Sequence, residues 1–268
     1  MILAISFLWG SFFAAMMARG LAYIDFHIRH PQLTPSSYFS TRRFFYRYFL
    51  CGRSKCASCK ANIPWYRNIP IVSYAWLRGR CSVCGHRIPV SLWFWEWFYL
   101  ACGFVLYTYV DGLAMQFSLL LLISLLLAIT VFDFKTMLIP DVLSYGVLWL
   151  GLAVHALIQR QSIDVYLLGI VLAYGLLKLL QIYYLLARRQ QALGDADPLL
   201  AAAIAAWIGV YQLPYYLIVA CILTILLAFG LRSKDTSIWN QQFPFGPALA
   251  LAGLGFILYE SVGMFPLR

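Results

Sequence analysis

Four carboxylates are the residues best placed to do chemistry in a chain with only ten acidic groups among 268 residues. Asp133 and Asp141 flank the segment FKTMLIP, and Asp195 and Asp197 form a GDAD run with Gly194 and Ala196. Each pair borders a long apolar stretch, where a carboxylate is costly to bury and is a functional candidate by default. Two carboxylates brought together in a partly dry site cannot both ionise readily, so the pair holds one shared proton. That is what peptide hydrolysis by an aspartic protease requires. The ionised member takes a proton from water as the water attacks the carbonyl, and the protonated member donates to the carbonyl oxygen or the leaving amine. Gly194 fits beside such a site, because a glycine lets a substrate backbone come close. Plainer readings stay open. Asp197 followed by Pro198 also reads as a helix N-cap with proline at the first helical position, and Asp133 as a helix-end anion. A proton-coupled transporter likewise sets carboxylates in membrane helices. Asp25, Asp111, Asp164 and Asp235 fall in loops or at the ends of apolar runs and read as solvated. Glu96 and Glu260 lie near such ends, where each could pair with a neighbouring helix or reach the interface.

The second chemical signal is Cys56, Cys59, Cys81 and Cys84, in the knuckles CASC and CSVC with twenty-one residues between the pairs. This is close to the C-x2-C…C-x2-C spacing of a structural zinc site, which sets four thiolates on a tetrahedron and replaces a core too small to build otherwise. Two disulfides, or four idle thiols, are the alternatives. Cys51 is a spare possible ligand, while Cys102 and Cys221 lie in apolar runs and read as small buried hydrophobes.

The elements that must position these groups follow from composition. The chain is 63% hydrophobic, 17% aromatic and 11% charged, with a formal net charge of +10. A soluble globule is nearer half apolar and a quarter charged, so an all-α polytopic membrane protein is expected. Disordered, collagen-like and disulfide-rich secreted classes are excluded by the high apolar content and sparse cysteines. Eight runs approach or reach the roughly 17 to 25 residues of a membrane helix: 2–18, 92–110, 115–132, 139–158, 165–187, 198–210, 213–231 and 245–265. The boundary at 211–214 is the weakest, since Pro214 can sit inside a membrane helix, and seven spans is the fallback. The expected organisation is a first membrane helix over 1–18, a basic loop with the zinc knuckles over 19–91, and a membrane domain carrying the aspartates over 92–268.

Orientation comes from the cations. Twelve of twenty basic residues fall between Arg19 and Arg87. With that loop inside, the inside connections hold seventeen basic residues and the outside ones two, Arg160 and Arg268, with Lys178 inside the fifth run. Such asymmetry places the loop in the cytoplasm and both termini outside. The first run lacks a positive stretch before it and is expected to be a retained helix, not a cleaved signal. The positive excess then reports topology and contact with anionic lipid, and no nucleic-acid partner is expected. Cytoplasmic thiols favour zinc over disulfides.

These residues resemble the type IV prepilin peptidases, also called prepilin leader peptidase/N-methyltransferases, over nearly the whole chain. Gly10, Ser11 and Phe12 with Arg19 look like the family's opening GSF and the arginine closing its first helix. Residues 56–90 are similar to its two-knuckle segment, including Asn68, Ile69, Pro70, Ser73, Leu77, Gly79 and the later Glu96. Asp133 with Pro140 and Asp141 matches a D-x6-P-D signature whose first aspartate is catalytic in the family. The second catalytic aspartate of the family closes a G-x-G-D motif ten residues before a tryptophan, and counting back from Trp207 gives Asp197. Here the second glycine is Ala196, a lysine common two residues after the aspartate is Leu199, and an aspartate at x makes Asp195 a rival. Segment 25–53 is unlike the short linker of the family. The run Phe243, Pro244, Phe245, Gly246, Pro247 resembles its PFGP entry to the last helix.

The resemblance implies a bacterial inner-membrane enzyme that cuts the basic leader of prepilins or pseudopilins after a glycine at the cytoplasmic face. It also implies methylation of the new N-terminus with S-adenosylmethionine, although no glycine-rich nucleotide loop is evident to hold that cofactor. A basic loop would repel a basic leader, which leaves leader recognition to local acids such as Asp141 or Asp195. A zinc-ribbon membrane scaffold, which needs no aspartate, and a transporter, whose carboxylates line a path through the bilayer, are the competing classes.

Overall fold

Apolar runs in this chain become helices because lipid offers the peptide group no hydrogen-bond partner outside its own segment. A computed structural model describes residues 1–29, 58–59, 61–62, 76–77, 79–87, 90–189, 193–230 and 244–261. Regular structure among them is helical, with an isolated antiparallel bridge between Arg80 and Arg87. In order, the helices are α1 (Ile2–Arg29), α2 (Val90–Tyr109), α3 (Leu113–Thr136), α4 (Asp141–Ala153), α5 (Asp164–Arg188), α6 (Asp197–Gly230) and α7 (Gly246–Ser261). A π-helix over Val154–Gln159 continues α4. The chain divides into two compact units, Met1–Leu120 and Leu121–Arg268.

Eight membrane spans are expected, and among the described residues four helices are long and apolar enough to cross a bilayer, Leu113–Thr136, Asp141–Gln159, Asp164–Arg188 and Asp197–Gly230. Ile2–Met17 and Gly246–Ser261 are shorter apolar stretches. The first helix runs on to Arg29, beyond residue 18 where its apolar run ends.

The sixth and seventh expected runs form one helical stretch, α6, interrupted at Gly209, whose φ of 70° and ψ of −179° are not helical. The break is therefore at the glycine and not at 211–214. Only glycine enters this left-handed backbone region at little cost, whereas Pro214, soon after the new start, costs a single ladder bond.

In the first unit α1 and α2 meet at Gly10, where a Cβ would lie 2.9 Å from the Cα of Glu96 and 2.9 Å from the carbonyl oxygen of Trp95. Small residues allow this approach, and the ring of Phe13 packs edge-on against Trp95 with centroids 5.4 Å apart. Glu96 is buried at this crossing.

In the second unit the first half of α6 is the hub. All residues from 200 to 208 are buried, and five of the seven from 200 to 206 are alanine. The indole Nε1 of Trp207 donates to the Val147 carbonyl of α4 at 2.9 Å. His155 Nε2, 3.1 Å from the Trp207 carbonyl, must be the donor there, because a carbonyl can only accept. It satisfies a carbonyl beside the Gly209 break, where a continuous helix would use its own ladder. By contrast α5 shows Leu168, Val171, Leu176 and Leu179 to its surroundings, as a lipid-facing helix would.

Candidate active site

Asp133 lies one turn before the end of α3, and the amide of Met137, itself at a φ of 52°, closes that turn on the Asp133 carbonyl at 2.9 Å. The side chain is buried. Its Oδ2 accepts a hydrogen bond of 3.0 Å from the backbone N–H of Gly246, the first residue of α7, 113 positions away. An amide at a helix N-terminus is a natural anion donor, and here it meets a carboxylate seated near the negative end of another helix.

Asp197 opens α6 and is also buried. Its Oδ2 accepts from the Gly194 amide at 3.0 Å, and its own N–H donates to the Gly194 carbonyl at 3.3 Å. An N-cap carboxylate would instead reach forward to the second or third helical amide. The Leu200 amide goes to the Ala196 carbonyl at 3.0 Å, so the carboxyl group of Asp197 is turned back into its own loop.

The charge of Asp133 acts on Asp197, so the two buried carboxyl groups are near neighbours. Two glycines make this possible. A Cβ at Gly246 would lie 2.7 Å from Asp133 Oδ2, and one at Gly194 would lie 2.9 Å from Asp197 Oδ2.

Asp195 is exposed, and its Oδ1 accepts a 2.6 Å hydrogen bond from Gln181 Nε2 of α5. Asp141 is exposed at the start of α4, which follows Pro140. Two participants had been missed. Gly246 sits in the PFGP run noted as a family feature, yet a backbone donor leaves no chemical mark in a sequence. Gln181 was overlooked as a neutral amide, although a glutamine in an otherwise apolar helix, three residues after Lys178, is itself a signal.

The Sγ atoms of Cys59, Cys81 and Cys84 lie within 4.8 Å of one another. The second knuckle has the local form that thiolate ligation favours. The Val83 amide points at Cys81 Sγ at 3.5 Å, Gly85 donates to the Cys81 carbonyl at 2.9 Å, and Cys81 donates to the His86 carbonyl at 2.8 Å. Gly85 takes the positive φ, 69°, that this turn needs. Three thiols this close suit zinc, whose sulfur ligands at about 2.3 Å stand roughly 4 Å apart around a tetrahedron. Cys56, the expected fourth ligand, lies outside the described residues, as do Asn68, Ile69, Pro70, Ser73 and Asp235.

Residues 120–229 match the type IV leader peptidase family, and residues 4–110 match the bacterial peptidase A24 N-terminal domain. Among curated proteins, a prepilin leader peptidase/N-methyltransferase of Pectobacterium carotovorum subsp. carotovorum is 35% identical over 208 residues, covering 75% of this chain and 72% of the relative. Proteins of the same name from Dichelobacter nodosus and Neisseria gonorrhoeae are each 31% identical, covering 81% and 75% of this chain and 76% and 68% of their own lengths. No solved structure matches the chain.

Proposed function

We propose that this chain, which belongs to the type IV leader peptidase family, removes the leader of prepilins or pseudopilins with Asp133 and Asp197 as its paired catalytic carboxylates. The observation that carries the assignment is that both are buried, electrostatically coupled and each held by a glycine amide through one oxygen only. The other oxygen of each can serve water and substrate. One carboxylate, ionised, takes a proton from water as the water oxygen attacks the carbonyl of the scissile bond. The other, protonated, donates to the carbonyl oxygen, and the leaving amine departs with a proton when the tetrahedral intermediate collapses. Burial favours Asp197 over Asp195, which is exposed.

The reading extends to a multi-pass protein of the bacterial inner membrane with the knuckle loop in the cytoplasm, supported by the charge asymmetry. The non-helical Gly209 within α6 supports reading that stretch as two spans, the sixth and seventh of the eight. A substrate with a basic leader in the cytoplasm and an apolar helix in the bilayer presents its scissile bond at the face where both aspartates sit.

Cys59, Cys81 and Cys84, with Cys56, would hold zinc as a structural ion that fixes the fold of the loop. Methylation of the new N-terminus by S-adenosylmethionine follows from the names of the relatives. Among the described residues no glycine-rich turn after a strand is present to cradle that cofactor.

Mass analysis of a prepilin incubated with the protein in membranes tests the function directly. The expected product has lost its leader and, with S-adenosylmethionine added, carries one more methyl group. An intact prepilin after prolonged incubation would rule the peptidase out. For the metal, Cys84→Ser is expected to reduce bound zinc from about one per chain to near zero, read by elemental analysis. Cleavage and methylation should decline together as the loop loses its fold, and full zinc content in the variant would exclude Cys84 as a ligand.

A further inference from the structure

Gln181 is a buried amide on α5, a helix that presents mostly aliphatic and tyrosine side chains to its surroundings. Its two polar ends are both engaged. Lys178 Nζ donates to Oε1 at 2.8 Å, while Nε2 donates to Asp195 Oδ1 at 2.6 Å and to the Leu193 carbonyl at 3.5 Å. The orientation of this amide follows from chemistry alone. An ammonium group can only donate and an ionised carboxylate can only accept, so the oxygen must face Lys178 and the nitrogen Asp195.

The loop so held is the one that delivers Asp197. Residues 193–196 lead directly into α6, and the Gly194 amide within them is the donor to Asp197 Oδ2. Gln181 grips the loop on either side of that glycine, at Leu193 and Asp195. A shift of the loop relative to α5 would therefore carry the Gly194 donor, and with it the orientation of Asp197. Lys178 strengthens the grip by polarising the amide whose nitrogen faces a carboxylate, a charge-assisted bond stronger than a neutral one.

We propose that Gln181, supported by Lys178, is a positioning residue for catalysis. It locks the Leu193 to Asp195 turn so that Gly194 presents its amide to Asp197 in the reactive geometry. The proposal rests on the assignment of Asp197 as a catalytic carboxylate. It also gives Asp195 a task, as the anchor point of the loop and not a rival proton donor.

The test is a swap of polarity across this bond, read as kcat and KM for prepilin cleavage by the full chain in membranes. Gln181→Glu sets a carboxylate against Asp195 and should lower kcat about a hundredfold, the scale expected when a catalytic group is misplaced. KM should stay within about twofold, because the substrate contacts are untouched. Asp195→Asn keeps an oxygen to accept from Gln181 and should lose less than about threefold in kcat, while any part of Asp195 in leader recognition would show in KM. Combining Gln181→Glu with Asp195→Asn recreates an amide–carboxylate bond running in the opposite sense, and most of the lost kcat should return.

A merely structural defect would not be rescued by a second substitution. Wild-type kcat in Gln181→Glu overturns the proposal, and so does a double variant no faster than Gln181→Glu while Asp195→Asn alone is active. An inactive Asp195→Asn also overturns it, by making Asp195 a catalytic group. Failure of the underlying reading would look different, as full activity in Asp197→Asn or no cleavage by the wild type.

Discussion

Asp133→Asn and Asp197→Asn, made singly, are each expected to lower kcat for leader cleavage by about 10²- to 10⁴-fold, the range associated with losing a positioned acid or base. Asparagine is close to isosteric with aspartate and retains an oxygen that can accept from Gly246 or Gly194. The fold and the two glycine bonds should therefore survive, and what disappears is the ability to exchange a proton. The double variant should be little worse than either single one, since two groups that act as a unit lose their contribution when one is gone. The same logic fixes the pH dependence. Cleavage needs one protonated and one ionised member, so the wild-type rate should rise and fall in a bell with the two apparent values of the pair. Rates of leader release, measured by mass analysis of timed samples, check both points. Wild-type kcat in either variant would remove that residue from the chemistry, and a loss confined to Asp133 and Asp195 variants would move the second carboxylate by two positions.

Gly246→Ala should have the next largest effect, a loss of about a hundredfold in kcat with the protein still folded. A Cβ at this position would stand 2.7 Å from Asp133 Oδ2 and 2.8 Å from Ile139 Cδ1, closer than real Cβ contacts come. Gly246 is not among the glycines at positive φ, so alanine can adopt the backbone and the conflict falls on the carboxylate. Asp133 must swing away, and a displacement of about 1 Å from the reactive geometry is enough for a hundredfold loss. Gly255→Ala on the same helix is the control. Nothing lies within 4 Å of its added methyl, and alanine is the better helix former, so activity and melting temperature should hold. Equal kcat in the two alanine variants would show that the Gly246 contact does not set the position of Asp133.

The catalytic candidates could be read from the sequence because acids are scarce and apolar runs are long. Once the membrane segments are drawn, few carboxylates remain at the ends expected to face the cytoplasm, and the family resemblance, counted back from Trp207, favours Asp197 over Asp195. What holds them could not be read the same way. The Asp133 to Gly246 bond spans 113 residues, and its donor is a peptide group that every residue but proline possesses. Gln181 was hidden for a related reason, since its role depends on where the loop after α5 turns back. The break in α6 shows a different kind of miss. Pro214 draws attention as a helix breaker, but a proline near a helix start is tolerated, while the left-handed conformation at Gly209 has no sequence marker beyond the glycine itself. The cysteine pattern could be noticed without any fold, because the spacing within each C-x2-C knuckle is local.

The alanine run of α6 bears on how the bundle is assembled during synthesis. This segment precedes α7 in the chain, so until α7 docks it has at least one flank uncovered. Alanine is apolar enough for lipid and small enough to be enclosed later without repacking. When α7 arrives it closes against α6 at Gly253, where an added Cβ would run into Ile204. The same step brings the Gly246 amide to Asp133, so the carboxylate pair becomes complete only when the final described helix docks. A chain ending before α7 would hold both aspartates yet lack the amide that orients Asp133.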